Sequence, residues 1–333
     1  MKQQIFLITV LVVALALTVS GGLAQDEPVR VAIVMPSSIT DLAWSQAIYN
    51  ALVKVQEEMG GEGAMEIAYT EGMFDVTAAA QALRDYAEDG YDIVIAHGTQ
   101  YGTSLFELAP DYPDTSFAWG TASDTGSEQG LTNIFAYEAA AEQGGYVNGV
   151  MAGLLTESGV IGVVGPVAAG DALLYVNGFI QGVEASNPDA TVNVTWTDSF
   201  SDVAKGTEAA QTHIAAGADV LTGSSQMVVG AIEAIQGLGG YWFGTQSDQS
   251  AQWPTTVVAS QVFDWTDAIR DMIQQRQNGV TGGVAYNLTL ENGGLKFAFG
   301  DVEISPEVLI AVGNAIEGII SGDIEVAREL PES

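Results

Sequence analysis

The chain has no cysteine, only two histidines, and only nine lysines and arginines among 333 residues. Without thiols there are no thiol nucleophiles, thiolate metal sites or disulfides, and cysteine usage gives no reading of the redox compartment. Against the nine basic residues stand 42 acidic ones, a formal charge of −33. Such a surface repels phosphate backbones and anionic headgroups, which argues against nucleic acid as a partner. The acidity serves either solubility, as in a salty medium, or recruitment of a cationic ligand. Charged residues make up only 15% of the chain and hydrophobic ones 47%. That composition rules out wholesale disorder, and the length favours two lobes over one core.

Long apolar runs are scarce as well. After Lys2, residues 5–19 form an apolar stretch broken by Thr9 and Thr18, and Gly22 and Ala24 supply small residues at a cleavage site before Gln25. Residues 1–24 therefore read as a cleavable signal peptide. Its removal takes away Lys2 alone and moves the formal charge from −33 to −34. With no cysteine to acylate, the mature chain is not expected to be a lipoprotein. No later run reaches the ~18 residues that span a bilayer, so the expected location is periplasmic or extracellular.

The usual signatures of catalysis are missing: no H-E-x-x-H, no G-x-S-x-G, no G-x-x-x-x-G-K-[ST] and no EF-hand calcium loop. Gly159, Gly162 and Gly165 lie on and around a strand, not at a strand-to-helix turn. Carboxylates are too abundant for any one pair to mark acid–base chemistry. The chain reads as a binding protein, with no enzyme activity, cofactor or metal.

What is present is a regular alternation. Apolar runs at 29–35, 66–69, 92–96 and 115–119 read as strands, separated by helical patterns at 42–59, 77–87 and from Ser104. The pattern restarts after Tyr137. A helix runs to about Leu155, and Asp171 is expected to cap the helix that ends at Val183. Strands follow at 160–164, 192–196, 219–221, 241–243 and 256–260, with helices at 203–215 and 227–235. Short apolar strands alternating with helices predict an α/β protein with buried parallel sheets. Residues 88–98 and 215–223 echo each other as helix end, glycine, aspartate, strand and Gly-containing loop. The echo fits either two related lobes or any two βα units.

In open α/β sheets ligands sit beyond the carboxyl ends of strands, so the candidates are sought there. Asp41, Trp44 and Gln46 follow the first strand, His97, Gly98 and Gln100 the third, and Trp119 ends the fourth. In the second half Gly223, Ser224 and Gln226 follow one strand, and Gln246, Asp248 and Gln249 another. Aromatic rings beside amides and carboxylates suit a planar or polyhydroxylated ligand. His97 is open to either ligand contact or local hydrogen bonding, whereas His213, inside a helix, reads as structural.

Several segments then match a known pattern in order. Residues 38–46 (Ser-Ile-Thr-Asp-Leu-Ala-Trp-Ser-Gln) resemble the opening signature of the basic membrane protein family. Residues 197–206, containing Ser199-Phe200-Ser201-Asp202, are similar to its Gly-Ser-Phe-x-Asp segment. Gly217-Ala218-Asp219-Val220 and residues 244–249 resemble its later motifs, and residues 146–153 its helix after the first crossover.

The resemblance implies a substrate-binding protein of an ABC importer, a monomer of type I periplasmic-binding fold, with two Rossmann-like lobes joined by a three-segment hinge. It implies lobes of 28–136 plus 258–285 and 137–257 plus 286–333, with crossovers near Ala136, Val257 and Ala285. Its partners would be a permease and a small ligand, a purine nucleoside or nucleobase. Asp41 would hold a polar edge of that ligand, Trp44 would stack on it, Asp248 would take ribose hydroxyls, and residues 223–227 would line the far wall. Phe263 stands nearest the family's ligand-holding lysine, and Trp119-Gly120 replaces an expected acidic residue. Both departures tilt the expectation toward a flatter ligand such as a free base. A sugar-binding protein of the same fold and the sensing module of a signalling receptor remain the alternatives.

Overall fold

The computed structural model describes residues 27–329; the proposed signal peptide lies outside them. The first half runs β1 (Val29–Val34), α1 (Trp44–Met59), β2 (Met65–Thr70), α2 (Val76–Glu88), β3 (Ile93–Ala96), α3 (Gly102–Leu108), β4 (Ser116–Gly120) and β5 (Ile134–Ala139). Then come α4 (Ala141–Leu155), β6 (Val160–Gly165), α5 (Gly170–Ser186), β7 (Thr191–Trp196), α6 (Val203–Ala215), β8 (Val220–Gly223) and α7 (Val229–Gln236). The chain ends with β9 (Tyr241–Gln246), β10 (Val257–Phe263), α8 (Thr266–Gln277), β11 (Ala285–Leu288), β12 (Leu295–Phe299) and α9 (Pro306–Ser321).

The strands form two six-stranded sheets, ordered β11-β5-β4-β3-β1-β2 and β12-β10-β9-β8-β6-β7. All neighbours are parallel except β10 and β12. The apolar runs explain this: Ile93–Ala96 is buried at every position, as a strand covered by helices on both faces must be.

The chain passes between the sheets three times, after β5, after β10 and after β11. These crossings differ from the expected ones. β5 stays paired with β11 through Ala139↔Leu288, so the first sheet extends past Ala136 and past Ala285. β10 pairs with β9 and β12 along its length, so residues 258–263 belong to the second sheet, not to the first lobe. Hydrophobic patterning marks a strand but not the sheet it joins, and this is where the sequence reading shifted.

Helices α4 and α5 lie backbone to backbone. A Cβ on Gly149 would stand 2.1 Å from the Phe179 carbonyl oxygen, and one on Gly182 2.0 Å from that of Tyr146. This close approach fixes α5, whose first turn points into the seam between the lobes.

Candidate functional site

The loops at the carboxyl ends of both sheets meet around a small cavity lined from both lobes. The first lobe contributes Pro36, Trp44, Gly98, Thr99, Gln100 and Thr121. The second contributes Ala169, Asp171, Phe200, Ser225, Gln226 and Gln246. Three of these residues, Thr121 (φ 64°), Ser225 (φ 72°) and Gln246 (φ 74°), are non-glycine residues in left-handed backbone. Such conformations cost about 1–3 kcal/mol each and persist where the surroundings enforce them, commonly at ligand clamps.

Trp44 is the best supported wall. Its indole is buried, donates from Nε1 to the His97 carbonyl at 3.1 Å, and stacks on the His97 ring with centroids 4.0 Å apart. Behind it Tyr137, Phe263 and Trp265 complete an aromatic cluster, Trp265 meeting Trp44 edge-on at 5.9 Å. His97 is thus a support for the platform and does not line the cavity. Its Nε2 faces the Trp44 carbonyl at 3.1 Å and must donate, which leaves Nδ1 to accept from the Tyr137 hydroxyl at 2.7 Å. Burial pushes its pKa down to about 3, against the opposing effect of that carbonyl, so the ring is neutral.

Of the candidates named from the sequence, Trp44, Gly98, Gln100, Gln226 and Gln246 line the cavity, and the ten others are not on its wall. Asp41 has become a local organiser. Its carboxylate accepts from the backbone amides of Ala43, Ser45 and Gln46 and from the Ser37 hydroxyl, holding the loop ahead of α1. Gln46 turns back to accept from the Leu42 amide. Trp119 packs against Gly102 and Phe106 and donates to the Gly98 carbonyl at 3.2 Å. Phe263 lies in the cluster behind Trp44. Neither Trp119 nor Phe263 touches the cavity, so their argument for a flatter ligand falls away.

Gly223 sits where a Cβ would stand 2.5 Å from the Val164 carbonyl oxygen. Ser224 is buried with no partner for its hydroxyl among the described residues, and Met227 is core, its sulfur accepting from Thr197 at 3.0 Å. Asp248 is exposed and accepts from the Ser250 amide and hydroxyl. The left-handed turn at Gln246 aims Ser247 at the first lobe and leaves Asp248 outside.

The lobes are clasped in a closed arrangement. Gln226 donates from Nε2 to the Ser37 hydroxyl at 2.6 Å and to Asp41 at 3.2 Å. Ser247 donates to the Ala43 carbonyl at 2.7 Å, and Gln249 to that of Leu42 at 3.3 Å. The first-lobe loop 37–43 is thus the catch that the second lobe grips. The Gln226 Oε1 atom is buried and has no partner among the described residues.

Two wall residues were missed as site candidates although the sequence had drawn attention to them: Phe200 lies in a family-like segment, and Asp171 was expected to be a helix cap. Ser225 belongs to the loop 223–227 that the family resemblance placed on the far wall. The structure gives the capping position to Ala169 and puts Asp171 in the first turn of α5. Thr121 and Ala169 carried no signal.

A family profile described as ABC transporter substrate-binding protein PnrA-like matches residues 28–320. A "putative ABC transporter glucose-binding protein" of Haloferax volcanii is 26% identical over 309 residues, spanning 93% of this chain and 76% of its own length. A purine-binding protein of Brucella abortus is 26% identical over 246 residues, spanning 74% of this chain and 68% of its own. A solved ABC transporter solute-binding protein of Aeropyrum pernix superposes with a TM-score of 0.78 at 18% identity, covering 91% of this chain and 94% of that one. The two-lobed architecture is the type I periplasmic-binding fold.

Proposed function

Because the chain belongs to the PnrA-like family of ABC transporter substrate-binding proteins, we propose that its cleft carries a flat, uncharged nitrogen heterocycle, a purine nucleoside or nucleobase. Proteins of this kind work outside the cytoplasm, take up a small molecule and hand it to a membrane permease. Among the described residues, no helix is long and apolar enough to cross a membrane.

The observation that carries the ligand reading is the pair of rings on opposite lobes. Trp44 lines the cavity from the first and Phe200 from the second, so closure brings two aromatic walls to one ligand. The amides of Gln100, Gln226 and Gln246 supply donors and acceptors suited to the edges of a base. Among the described residues no lysine or arginine lines the cavity, which disfavours phosphorylated or carboxylate ligands. Contacts from both lobes exist only when the cleft is shut, so ligand biases an open–closed equilibrium toward the form a permease would recognise.

The glucose-binding name of the Haloferax volcanii relative favours a second reading, a sugar held by the same amides and Trp44. Tryptophan fluorescence separates the two, since Trp44 lies in the wall. Titration with adenosine is expected to change the emission saturably, and D-glucose to leave it unchanged. A saturable response to D-glucose alone would replace the purine reading with the sugar one.

Export belongs to the same proposal. The mature chain is expected to begin at Gln25 and to carry no lipid, which N-terminal sequencing and intact mass of the secreted protein check.

A further inference from the structure

Among the described residues Asp171 is the one ionisable side chain on the cavity wall, and the purine reading, on which this inference rests, gives it no task. It is 5% exposed in the first turn of α5. It borders the ligand cavity and also an adjoining hollow bounded by Thr121, Glu138 and Arg328, so it forms part of the partition between them. Among the described residues no side chain donates a hydrogen bond to it.

The charged groups around Asp171 do not favour a second anion there. Glu138 approaches from β5 and Glu142 from α4, with the Tyr137 phenol also on β5 and Glu329 at the rim of the hollow. The one cation of the group, Arg328, spends both terminal nitrogens on Glu138, at 3.0 Å each. An ionised Asp171 would thus be a buried charge whose nearest cation is already shared by another carboxylate. Burial first, and Glu138 second, push its pKa from 3.8 up to about 8.

We propose that Asp171 closes over the ligand as an uncharged carboxylic acid, that each closure takes up one proton, and that the site thereby selects an uncharged ligand offering an acceptor to the Asp171 hydroxyl. A neutral carboxyl carries a donor and an acceptor side by side. That pair complements the edge of a heterocycle in which a ring nitrogen adjoins an amine or a carbonyl adjoins an N–H. A cationic ligand would hold the group ionised instead and reverse the dependence on pH.

The sign follows from the two conformations. Parting the lobes would open this wall to water and let the pKa of Asp171 fall back toward 3.8, whereas in the closed form it stands at about 8. Between these values the closed form holds one proton more than the open form. Affinity therefore weakens about tenfold for each unit of rising pH in that window, and levels off below it.

Calorimetric titration of the full mature chain and of Asp171→Asn with adenosine, at about pH 5, 6 and 7 and in two buffers of different ionisation enthalpy, tests this. The wild type is expected to take up close to one proton and to lose about tenfold in affinity per pH unit, while Asp171→Asn binds with no linked proton and a flat profile. Adenosine binding without proton uptake, or an unchanged slope in Asp171→Asn, overturns the proposal and leaves the purine reading standing. Absence of adenosine binding at every pH counts against the purine reading alone. Asp171 is then judged by small-angle scattering of the unliganded chains. Compaction with falling pH in the wild type but not in Asp171→Asn supports the proton-linked closure, and identical profiles overturn it.

Discussion

Phe200 sits half-buried on the loop between β7 and α6, lines the cavity, and has no aromatic partner in its own lobe among the described residues. Replacing it by alanine removes one wall of the clamp and little else. Base–aromatic stacking is worth about 1–3 kcal/mol per ring, so Phe200→Ala should weaken adenosine binding by about 5- to 150-fold. The melting temperature of the unliganded protein should hardly move.

Trp44→Ala is the contrasting perturbation. Trp44 is buried, stacks on His97, and bonds to the His97 carbonyl. Its loss should cost binding and also about 3–5 kcal/mol of stability, as for a large aromatic removed from a core. Trp44→Phe keeps a ring and gives up one hydrogen bond, worth about 1 kcal/mol. Calorimetry with adenosine and thermal melts of the three variants separate these effects. Wild-type affinity in Phe200→Ala would refute the two-walled clamp, and a wild-type melt in Trp44→Ala would refute the cluster behind it.

Gln226→Ala deletes the two bonds that reach Ser37 and Asp41 across the cleft; at about 0.5–1.5 kcal/mol each it should weaken ligand binding by about 5- to 150-fold, chiefly through faster dissociation in stopped-flow traces. Gly149→Ala drives a methyl onto the Phe179 carbonyl and should destabilise the second lobe by about 1–3 kcal/mol in denaturant titrations. His97 is neutral when folded, with a pKa of about 3 against 6.5 unfolded, so the unfolded chain gains a proton first as pH falls. Its contribution is complete above pH 6.5 and erodes below it. His97→Gln should accordingly gain on the wild type by about 1.4 kcal/mol per pH unit between 6.5 and 4, read from paired unfolding curves. A constant gap between the two curves would place the His97 ring in water.

The fold was legible because its strands are short apolar runs set between helical patterns, as at Ile93–Ala96. The sheet that β10 and β11 join was not legible, since pairing is decided by tertiary register and not by composition. On the cavity wall, strand-end position picked out Trp44, Gly98, Gln100, Gln226 and Gln246. It could not distinguish a carboxylate that organises a helix start from one that meets ligand. Asp41 and Asp171 were exchanged for that reason: each lies close to a helix N-terminus, and only packing shows which carboxyl the backbone has claimed. His97 illustrates the same limit, because a strand-end side chain faces the cleft or the core according to its register. Phe200 was read as part of a family-like segment but not as a wall residue, because it stands on an irregular loop, several residues past the end of β7.

The ligand is decided most directly by native mass spectrometry of the mature protein as purified, followed by identification of whatever it carries. A bound mass matching a purine base or nucleoside, displaced by added adenosine, is the result expected from a cavity walled by Trp44 and Phe200. A bound hexose that adenosine fails to displace would contradict it.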